Sequence, residues 1–344
     1  MSVRLFIEED RELWDSYVMS SSSSTCYHLI GWKDVIEKSF GHKTYYMLSE
    51  GAKNEINGIL SLVQIKSLLF GNFMTSLPYF NYGGIIADND EIRSQLLRDA
   101  IQIAEKEGAG HIELRDTCCA NNGLPIKTTK VSMRLELPRQ SEDLWGSFSS
   151  KLRSQVRRPE KEGMYSKIGR EEELDSFYTV FSINMRDLGT PVYPKKFFNN
   201  ILKEFPETTW ICTIYTKDEQ PVASGVLVGF KEMLEIPWAS SLRNYNNYSP
   251  NMLLYWGVLK FACEKGYKVF DFGRSTPNEG TYKFKEQWGA KPLQLYWHYW
   301  LKNGGHLPEL NPKNPKYQIA IKIWQTLPVG LTRLIGPAIV KNIP

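Results

Sequence analysis

An internal repeat is the feature that most constrains how this chain folds. Each half contains two β-rich stretches separated by a turn-rich stretch, and Gly58 in the first half corresponds to Gly225 in the second. Such pairs are typical of hairpins. The predicted strands are 44–48 and 58–65 in the first half, and 208–215 and 223–230 in the second.

A helix followed by a short strand completes each half. Apolar residues recur at helical spacing before Gly108 and again before Gly266. A glycine after the last apolar residue is typical of a helix that ends in a left-handed cap. Two further helices, one leading into each hairpin, are predicted at Leu29–Phe40 and Leu174–Leu188.

The repeat predicts an α/β (α+β) protein with two tandem, duplicated domains. Two long copies are too few for a solenoid, which needs at least three short repeats. The expected segments are 1–140 for the first domain, 141–305 for the second and 306–344 for a helical tail. The chance similarity of any two αβ units is the alternative, but the matched glycine-stopped helices favour duplication.

Composition excludes several classes of protein. With 42% hydrophobic and 23% charged residues among 344, the chain is not disordered or low in complexity. A net charge of +4 is too small for a general DNA or polyanion binder, so affinity for phosphate must come from a local cluster. Five cysteines without C-x-x-C spacing and five histidines without metal-like spacing predict a reduced, cytoplasmic protein with no metal. No secretory signal or membrane-spanning run is expected.

A set of short stretches carries a resemblance to a known family. They are Phe40–Lys43, Ser76–Gly84, Leu188–Pro194, Pro237–Ser241, Gly273–Pro277 and Gly280–Ala290. Together they resemble the FemAB-related proteins encoded with exosortase and exopolysaccharide systems. Those proteins are similar to Fem-type aminoacyltransferases and BioF2-like acyltransferases of the GNAT (acyl-CoA N-acyltransferase) superfamily. The resemblance covers nearly the whole chain and implies tandem GNAT-like domains.

The resemblance also implies an activity. The chain is expected to transfer an acyl or aminoacyl group to an amine of a cell-envelope saccharide or peptidoglycan-type precursor, free or lipid-linked. The acyl donor is expected to be either an aminoacyl-tRNA or an acyl-CoA. The sequence does not choose between them, because Tyr245–Tyr248 replaces the Gln/Arg-x-x-Gly-x-Gly/Ala loop of acetyl-CoA enzymes. An acetyl-CoA-dependent acetyltransferase and a non-catalytic protein that binds polysaccharide precursors are the alternatives.

The segment from Asp271 to Trp288 is richest in reactive groups. Asp271 ends a buried-looking strand, and Arg274 follows it in a loop shaped by glycine and proline. Two cations near a developing oxyanion would stabilise it, and a carboxylate beside them would orient them. Asp271 is interpreted equally well as a strand-end cap or as the partner in a salt bridge, without a catalytic role.

Alternation in Tyr282–Lys285 predicts a strand with both lysines on one face and both aromatic rings on the other. From the residues alone, an edge strand protected by lysines is an alternative to a catalytic strand. The resemblance to Fem-type enzymes, in which a Phe-Lys pair lies at the active site, favours catalysis. It implies that Lys285 stabilises transition-state charge. The predicted catalytic set is Lys285, Asp271 and Arg274, with Lys283, Phe284 and Tyr282 binding substrate.

Two further stretches are candidates for binding the donor or its phosphate groups. Ser249 is predicted to cap a helix from about Met252, with Pro250 suited to the first helical position, and backbone N–H groups and the helix dipole favour anions there. After Trp145, a helix that Pro159 ends or kinks is predicted to carry basic and apolar residues on opposite arcs. The basic residues are Lys151, Arg153, Arg157 and Arg158. A plain capped helix and an ordinary solvated helix face are the respective alternatives.

Aromatic and hydroxyl side chains complete the predicted substrate site. They are Tyr79, Tyr82, Tyr193, Ser240 and Ser241. Aromatic loops of this kind stack on sugars or line peptide grooves, although many buried turns look the same. The apolar tail, 317–327 and 329–340, is interpreted either as helices docked on the second domain or as a contact with the inner face of the membrane.

Overall fold

The computed structural model describes residues 2–52, 55–67, 70–119, 123–308 and 315–343. The chain divides into two compact units, and each unit is built from segments that are not contiguous in the sequence. Unit 1 comprises Met1–Lys130, Gln294–Leu310 and Lys341–Pro344, and unit 2 comprises Val131–Leu293 and Asn311–Val340.

Both units contain helices and strands. Up to residue 130 they are β1 (Ser2–Leu5), α1 (Arg11–Ser20), α2 (Gly31–Phe40), β2 (Lys43–Glu50), β3 (Ile56–Ser67), β4 (Gly71–Thr75), β5 (Ile86–Ala87), α3 (Asp90–Lys106), β6 (His111–Asp116) and β7 (Ile126–Lys127). From residue 131 to 241 they are β8 (Val131–Glu136), α4 (Ser141–Ser147), α5 (Ser150–Lys161), β9 (Tyr165–Gly169), α6 (Leu174–Leu188), α7 (Lys195–Glu204), β10 (Thr209–Tyr215), β11 (Pro221–Phe230) and β12 (Met233–Ser241). The remainder are α8 (Pro250–Glu264), β13 (Val269–Ser275), α9 (Gly280–Glu286), β14 (Lys291–Gln294), β15 (Tyr296–Leu301), α10 (Pro315–Thr326) and α11 (Val329–Val340).

The sheets of the two units have matching strand orders. The order is β1-β2-β3-β4-β6-β15-β7 in unit 1 and β9-β10-β11-β12-β13-β8-β14 in unit 2. In both, the first three pairs are antiparallel, the fourth is parallel and the fifth is antiparallel. This shared order confirms the predicted duplication.

The helix ends confirm the glycine signals of the repeat. Gly108 and Gly266 both adopt a positive φ, of 69° and 79°. In each case the following residue donates its N–H to a carbonyl in the last helical turn, Ala109 to Ala104 and Tyr267 to Ala262. These are Schellman caps, which end α3 and α8 at equivalent places.

The predicted helices and segments agree with the structure to different degrees. Helix α6 has the predicted bounds, α2 begins two residues later than expected, and α1 and α7 were not predicted. The units also differ from the predicted segments 1–140, 141–305 and 306–344. Strand β8, from the first half of the sequence, joins the sheet of unit 2, and β15, from the second half, joins the sheet of unit 1. The predicted boundaries therefore assign these two strands to the wrong sheets.

The sheet of unit 2 is covered by helices on both faces. In β10, Cys212 and Ile214 belong to the core cluster formed with α4, α5 and α8. The alternate residue Tyr215 points the other way, and its hydroxyl donates to Glu173 and Ser176 at the start of α6. Because side chains alternate along a strand, α8 and α6 lie on opposite faces of this sheet.

Candidate functional site

Strands β12 and β13 separate partway along their length, and this divides the middle of the sheet in unit 2. They pair over three residues, ending at Glu235 opposite Asp271. Beyond that point β12 pairs with β11 as far as Ser241, and β13 pairs with β8 as far as Ser275. The two buried carboxylates therefore stand at the base of an opening between the strands.

A bulge in β13 shapes one side of this opening. The register with β8 shifts between Asp271 and Arg274, and Gly273 adopts a φ of 75°. Glycine has no Cβ, so it takes this left-handed conformation without strain. The Asp271 carboxylate accepts the Gly273 N–H at 2.7 Å and so holds the bulge in place.

Lys285 binds this bulge from helix α9. Its ammonium donates to the main-chain carbonyls of Gly273 and Arg274, each at 2.9 Å, and the side chain is buried. An ammonium has three N–H groups, so one remains for another acceptor. Burial lowers the pKa of Lys285 from its ordinary 10.5 to about 8, although Asp271 and Glu235 oppose the shift by attracting the charge.

Asp271 is fully buried and collects several donors. Besides the Gly273 N–H, its carboxylate accepts the Ser132 hydroxyl at 2.5 Å and the Arg134 Nε–H at 3.1 Å. Ser132 and Arg134 alternate on β8 and therefore present their side chains on one face. This arrangement fits the predicted orienting role of Asp271, which remains a prediction.

The predicted strand at Tyr282–Lys285 is wrong, because these residues lie in helix α9. Residues two apart lie about 200° apart around a helix, so the lysines do not share a face. Lys285 is buried, whereas Lys283 is exposed. Phe284 packs edge-on against Tyr255 at 5.0 Å between ring centres, which anchors the helix to the core. Tyr282 also packs, half-buried, against this core.

Arg274 contributes its main chain to the bulge, and its side chain is exposed. The guanidinium also opposes the charge on Lys285, which helps to lower the pKa of that lysine. A direct catalytic role for the Arg274 side chain stays a prediction.

Unit 1 has a different set of residues at the equivalent point. Strands β4 and β6 part after Thr75 and Glu113. The buried Arg115 guanidinium then binds the Glu113 carboxylate and donates to the main-chain carbonyls of Leu77 and Phe80. Glu113 also accepts the Tyr299 hydroxyl at 2.6 Å. A buried network of hydrogen bonds thus stands at this point of unit 1, beside a cavity that Arg115 also lines. Unit 2 instead has a buried ammonium with one N–H to spare, and we take this as the candidate site.

The start of helix α8 differs from the prediction. Pro250 takes an early helical position as expected, but Ser249 is not a side-chain cap. Its φ is 59°, and its carbonyl, not its hydroxyl, accepts the Met252 N–H. Ser249 and Asn251 are half-buried, and their role in binding the donor stays a prediction.

The stretch after residue 140 forms two helices, and all four predicted basic residues lie on the second, α5. Helix α4 ends at Ser147, and the Ser149 hydroxyl caps α5 by accepting the Leu152 N–H. The helix also continues through Pro159, as far as Lys161. Among the described residues, none of the predicted basic side chains has a carboxylate partner within salt-bridge distance, and Arg157 lies over the Trp145 ring. These side chains are Lys151, Arg153, Arg157 and Arg158.

The predicted aromatic loops are mostly structural. Tyr82 is buried beside Tyr27 and lines a small cavity of unit 1, and its predicted contact with substrate stays a prediction. The Tyr79 hydroxyl donates to the Lys341 carbonyl within unit 1. Tyr193 packs in a cluster of aromatic rings with Trp238. On β12, Ser240 accepts a hydrogen bond from the Asn184 side chain, and Ser241 is half-buried.

Three side chains at the site were not singled out from the sequence. They are Glu235, Ser132 and Arg134. Glu235 interrupts an otherwise apolar strand, and a buried carboxylate in such a strand is a signal of function. The partners on β8 gave no local signal, because about 140 residues separate them from Asp271 in sequence.

Metal ligands and membrane spans were searched among the described residues. No group of histidine, cysteine, aspartate or glutamate side chains there is arranged to hold a metal ion. In the same residues, no helix combines the length and the apolar character needed to cross a membrane.

The two matching sheets form a tandem GNAT-like fold. Residues 146–286 match the family model of the acetyltransferase (GNAT) domain, and that range contains Glu235, Asp271 and Lys285. No curated protein matches the sequence.

Solved structures with this fold resemble the chain over most of its length. FemX is 15% identical with a TM-score of 0.65, covering 93% of this chain and 100% of FemX. A tandem GNAT protein from the clavulanic acid biosynthesis pathway is 8% identical with a TM-score of 0.58, covering 89% and 99%. A C-terminal domain from Agrobacterium fabrum, described as that of a lysylphosphatidylglycerol synthetase, is 13% identical with a TM-score of 0.56, covering 86% and 92%. These likenesses establish the tandem GNAT fold.

The buried ammonium of Lys285 predicts a specific dependence of stability on pH. Its pKa is lower in the folded chain, so between about pH 8 and 10.5 the unfolded chain holds the extra proton. The free energy of unfolding of the wild type should therefore rise with pH relative to Lys285→Met. The expected gain is on the order of 3 kcal/mol. Urea unfolding of both proteins at pH 7 and pH 10.5 measures it, and a constant difference would show that Lys285 titrates normally.

Proposed function

We propose that this protein is an N-acyl or aminoacyl transferase whose reaction takes place in the opening of unit 2. The observation that carries the proposal is the Lys285 ammonium, buried on the β13 bulge where β12 and β13 have parted. It is a cation with one N–H to spare in a site of low polarity, where electrostatic stabilisation is strongest.

The proposed reaction joins an amine to an activated acyl group. The amine nitrogen bonds to the carbonyl carbon, negative charge develops on the carbonyl oxygen, and Lys285 stabilises that charge. The carbonyl then reforms as the bond to the leaving sulfur or ester oxygen breaks. The proton lost by the nitrogen ends on the leaving group, so no further reactant is needed. Asp271 keeps the ammonium in place through the bulge and by attraction.

The proposed acceptor is an amine of a cell-envelope saccharide or peptidoglycan-type precursor, free or lipid-linked. The resemblance to FemAB-related proteins supports this class, and so does the fold shared with FemX. The proposed donor is an aminoacyl-tRNA or an acyl-CoA, without a metal. The four basic side chains of α5 support a donor that carries phosphate groups.

Mass spectrometry of cell-envelope material tests the proposal. Saccharides and peptides from cells with the wild-type gene are compared with those from cells that carry Lys285→Met in its place. We expect one amine-bearing component to lose a defined acyl or aminoacyl mass in the variant. The mass names the group, and labelling with acetate or with single amino acids separates the two donor classes.

Lys283→Met is the matched control, because it removes an exposed cation from the same helix. It should leave the modification in place. Identical envelope masses in all three strains, with the protein present at equal levels, would contradict the proposed reaction and favour a binding protein.

A further inference from the structure

The last two helices of unit 2 are fixed to the rest of the unit by one side. Arg333 on α11 donates to the Ser182 hydroxyl of α6 at 2.8 Å. Gly336 lies so close to Val192 that an added Cβ would stand 2.9 Å from its main-chain nitrogen. Trp324 of α10 is buried as well. The helices are therefore docked on unit 2, as one interpretation of the tail predicted.

Each of the two helices also carries apolar side chains that are exposed. Ile319 and Ile323, one helical turn apart on α10, are 62% and 58% exposed. Leu331 and Leu334, three residues apart on α11, are 41% and 76% exposed. Residues at these spacings lie on one face of a helix. We call these four side chains the tail face.

The charged residues in the sequence of the two helices are all basic. Between Pro315 and Val340 the sequence has Lys316, Lys322 and Arg333 and no aspartate or glutamate. Lys322 is exposed and lies one turn from Ile319 and beside Ile323 on α10. Apolar side chains interspersed with lysine, without acidic residues, are typical of helices that lie in the interface of an anionic membrane.

We propose that the tail face docks the protein on the surface of an anionic lipid bilayer. Neither helix is long and apolar enough to cross a membrane, so the contact is superficial. The apolar side chains enter the boundary between headgroups and acyl chains, and Lys322 contacts lipid phosphates. A second copy of the chain fits less well, because a symmetric pair would bring identical cations together without acidic partners.

Co-sedimentation of the full chain with vesicles tests the proposal. Vesicles of equal parts phosphatidylglycerol and phosphatidylcholine are compared with vesicles of phosphatidylcholine alone. We expect clear binding to the anionic vesicles, weakened by salt, and at least tenfold weaker binding to the neutral ones. Ile323→Asp combined with Leu334→Asp should weaken anionic binding at least tenfold, because both side chains would then resist insertion.

Leu13→Asp is the matched control, because Leu13 is 53% exposed on α1 of unit 1. It should bind vesicles as the wild type does, and thermal unfolding should show that all variants are folded. Lack of vesicle binding by the wild type would overturn the proposal. A concentration-dependent dimer that the double variant abolishes, without vesicle binding, would also overturn it and assign the tail face to a second copy. The test does not depend on catalysis, since Lys285→Met should bind vesicles normally.

Discussion

Lys285→Met should lower the turnover number by about a hundredfold or more while changing substrate affinity little. Methionine keeps much of the side-chain bulk in the buried position but removes the cation that is proposed to stabilise the oxyanion. Loss of one preorganised donor to an oxyanion typically costs about two to three orders of magnitude in turnover. Because the charge exists only in the transition state, the loss should fall on kcat and not on KM.

Steady-state kinetics with the donor and acceptor identified by mass spectrometry measures this loss. The control is Lys283→Met, which changes an exposed lysine on the other side of α9 and should affect binding at most. The pH dependence gives a second readout. If the charged form of Lys285 is required, turnover should fall as the pH rises through about 8, where this lysine loses its proton.

Two outcomes would contradict the assignment of Lys285. Equal and small losses in Lys283→Met and Lys285→Met would indicate a binding groove. A large loss of affinity with unchanged turnover in Lys285→Met would make this lysine a clamp for a phosphate group of the substrate.

Asp271→Asn should lower turnover at pH 7.5 about tenfold, with partial recovery at lower pH. The carboxylate attracts the Lys285 ammonium and so keeps its pKa from falling further. Asparagine retains one oxygen for the Ser132 hydroxyl and the Gly273 N–H, but it removes the charge. The pKa of Lys285 should then fall below about 8, and less of it should be charged near neutral pH.

The measurement is the ratio of variant to wild-type turnover across pH, which cancels the titration of the acceptor amine. Glu286→Gln is the control, because Glu286 is an exposed carboxylate beside Lys285 in sequence. Its ratio should be near one at every pH. A ratio for Asp271→Asn that is low but independent of pH would show that Asp271 acts by holding the bulge and not through its charge.

Local sequence signals predicted the repeated framework well. Glycines at 108 and 266 end helices in left-handed caps, which few other residues adopt without strain. The helix predicted at Leu174–Leu188, ahead of the second hairpin, has the bounds of α6. These features depend on interactions within a few residues, so the sequence is enough to reveal them.

The candidate site was predicted only in part. Asp271 and Lys285 were chosen from the sequence and its family resemblance, and the structure brings them together. The alternation in Tyr282–Lys285 suggested a strand, but four residues are too short to distinguish a strand from a turn of helix. In the helix that the structure shows, Phe284 packs on Tyr255 and Lys285 is buried. Both contacts are tertiary, so the four-residue pattern does not reveal them.

By itself, the sequence determined the duplication, the ends of the two glycine-capped helices and the residues of the segment richest in reactive groups. Only the tertiary structure decided which strands complete each sheet, and hence that β8 supplies Ser132 and Arg134 to Asp271. It also decided that Arg115 and Glu113 form a buried network where the strands of unit 1 part, whereas a buried lysine stands at the opening of unit 2. The physical reason is that pairing between distant strands and burial of charge are long-range effects, which leave no periodic pattern in the local sequence.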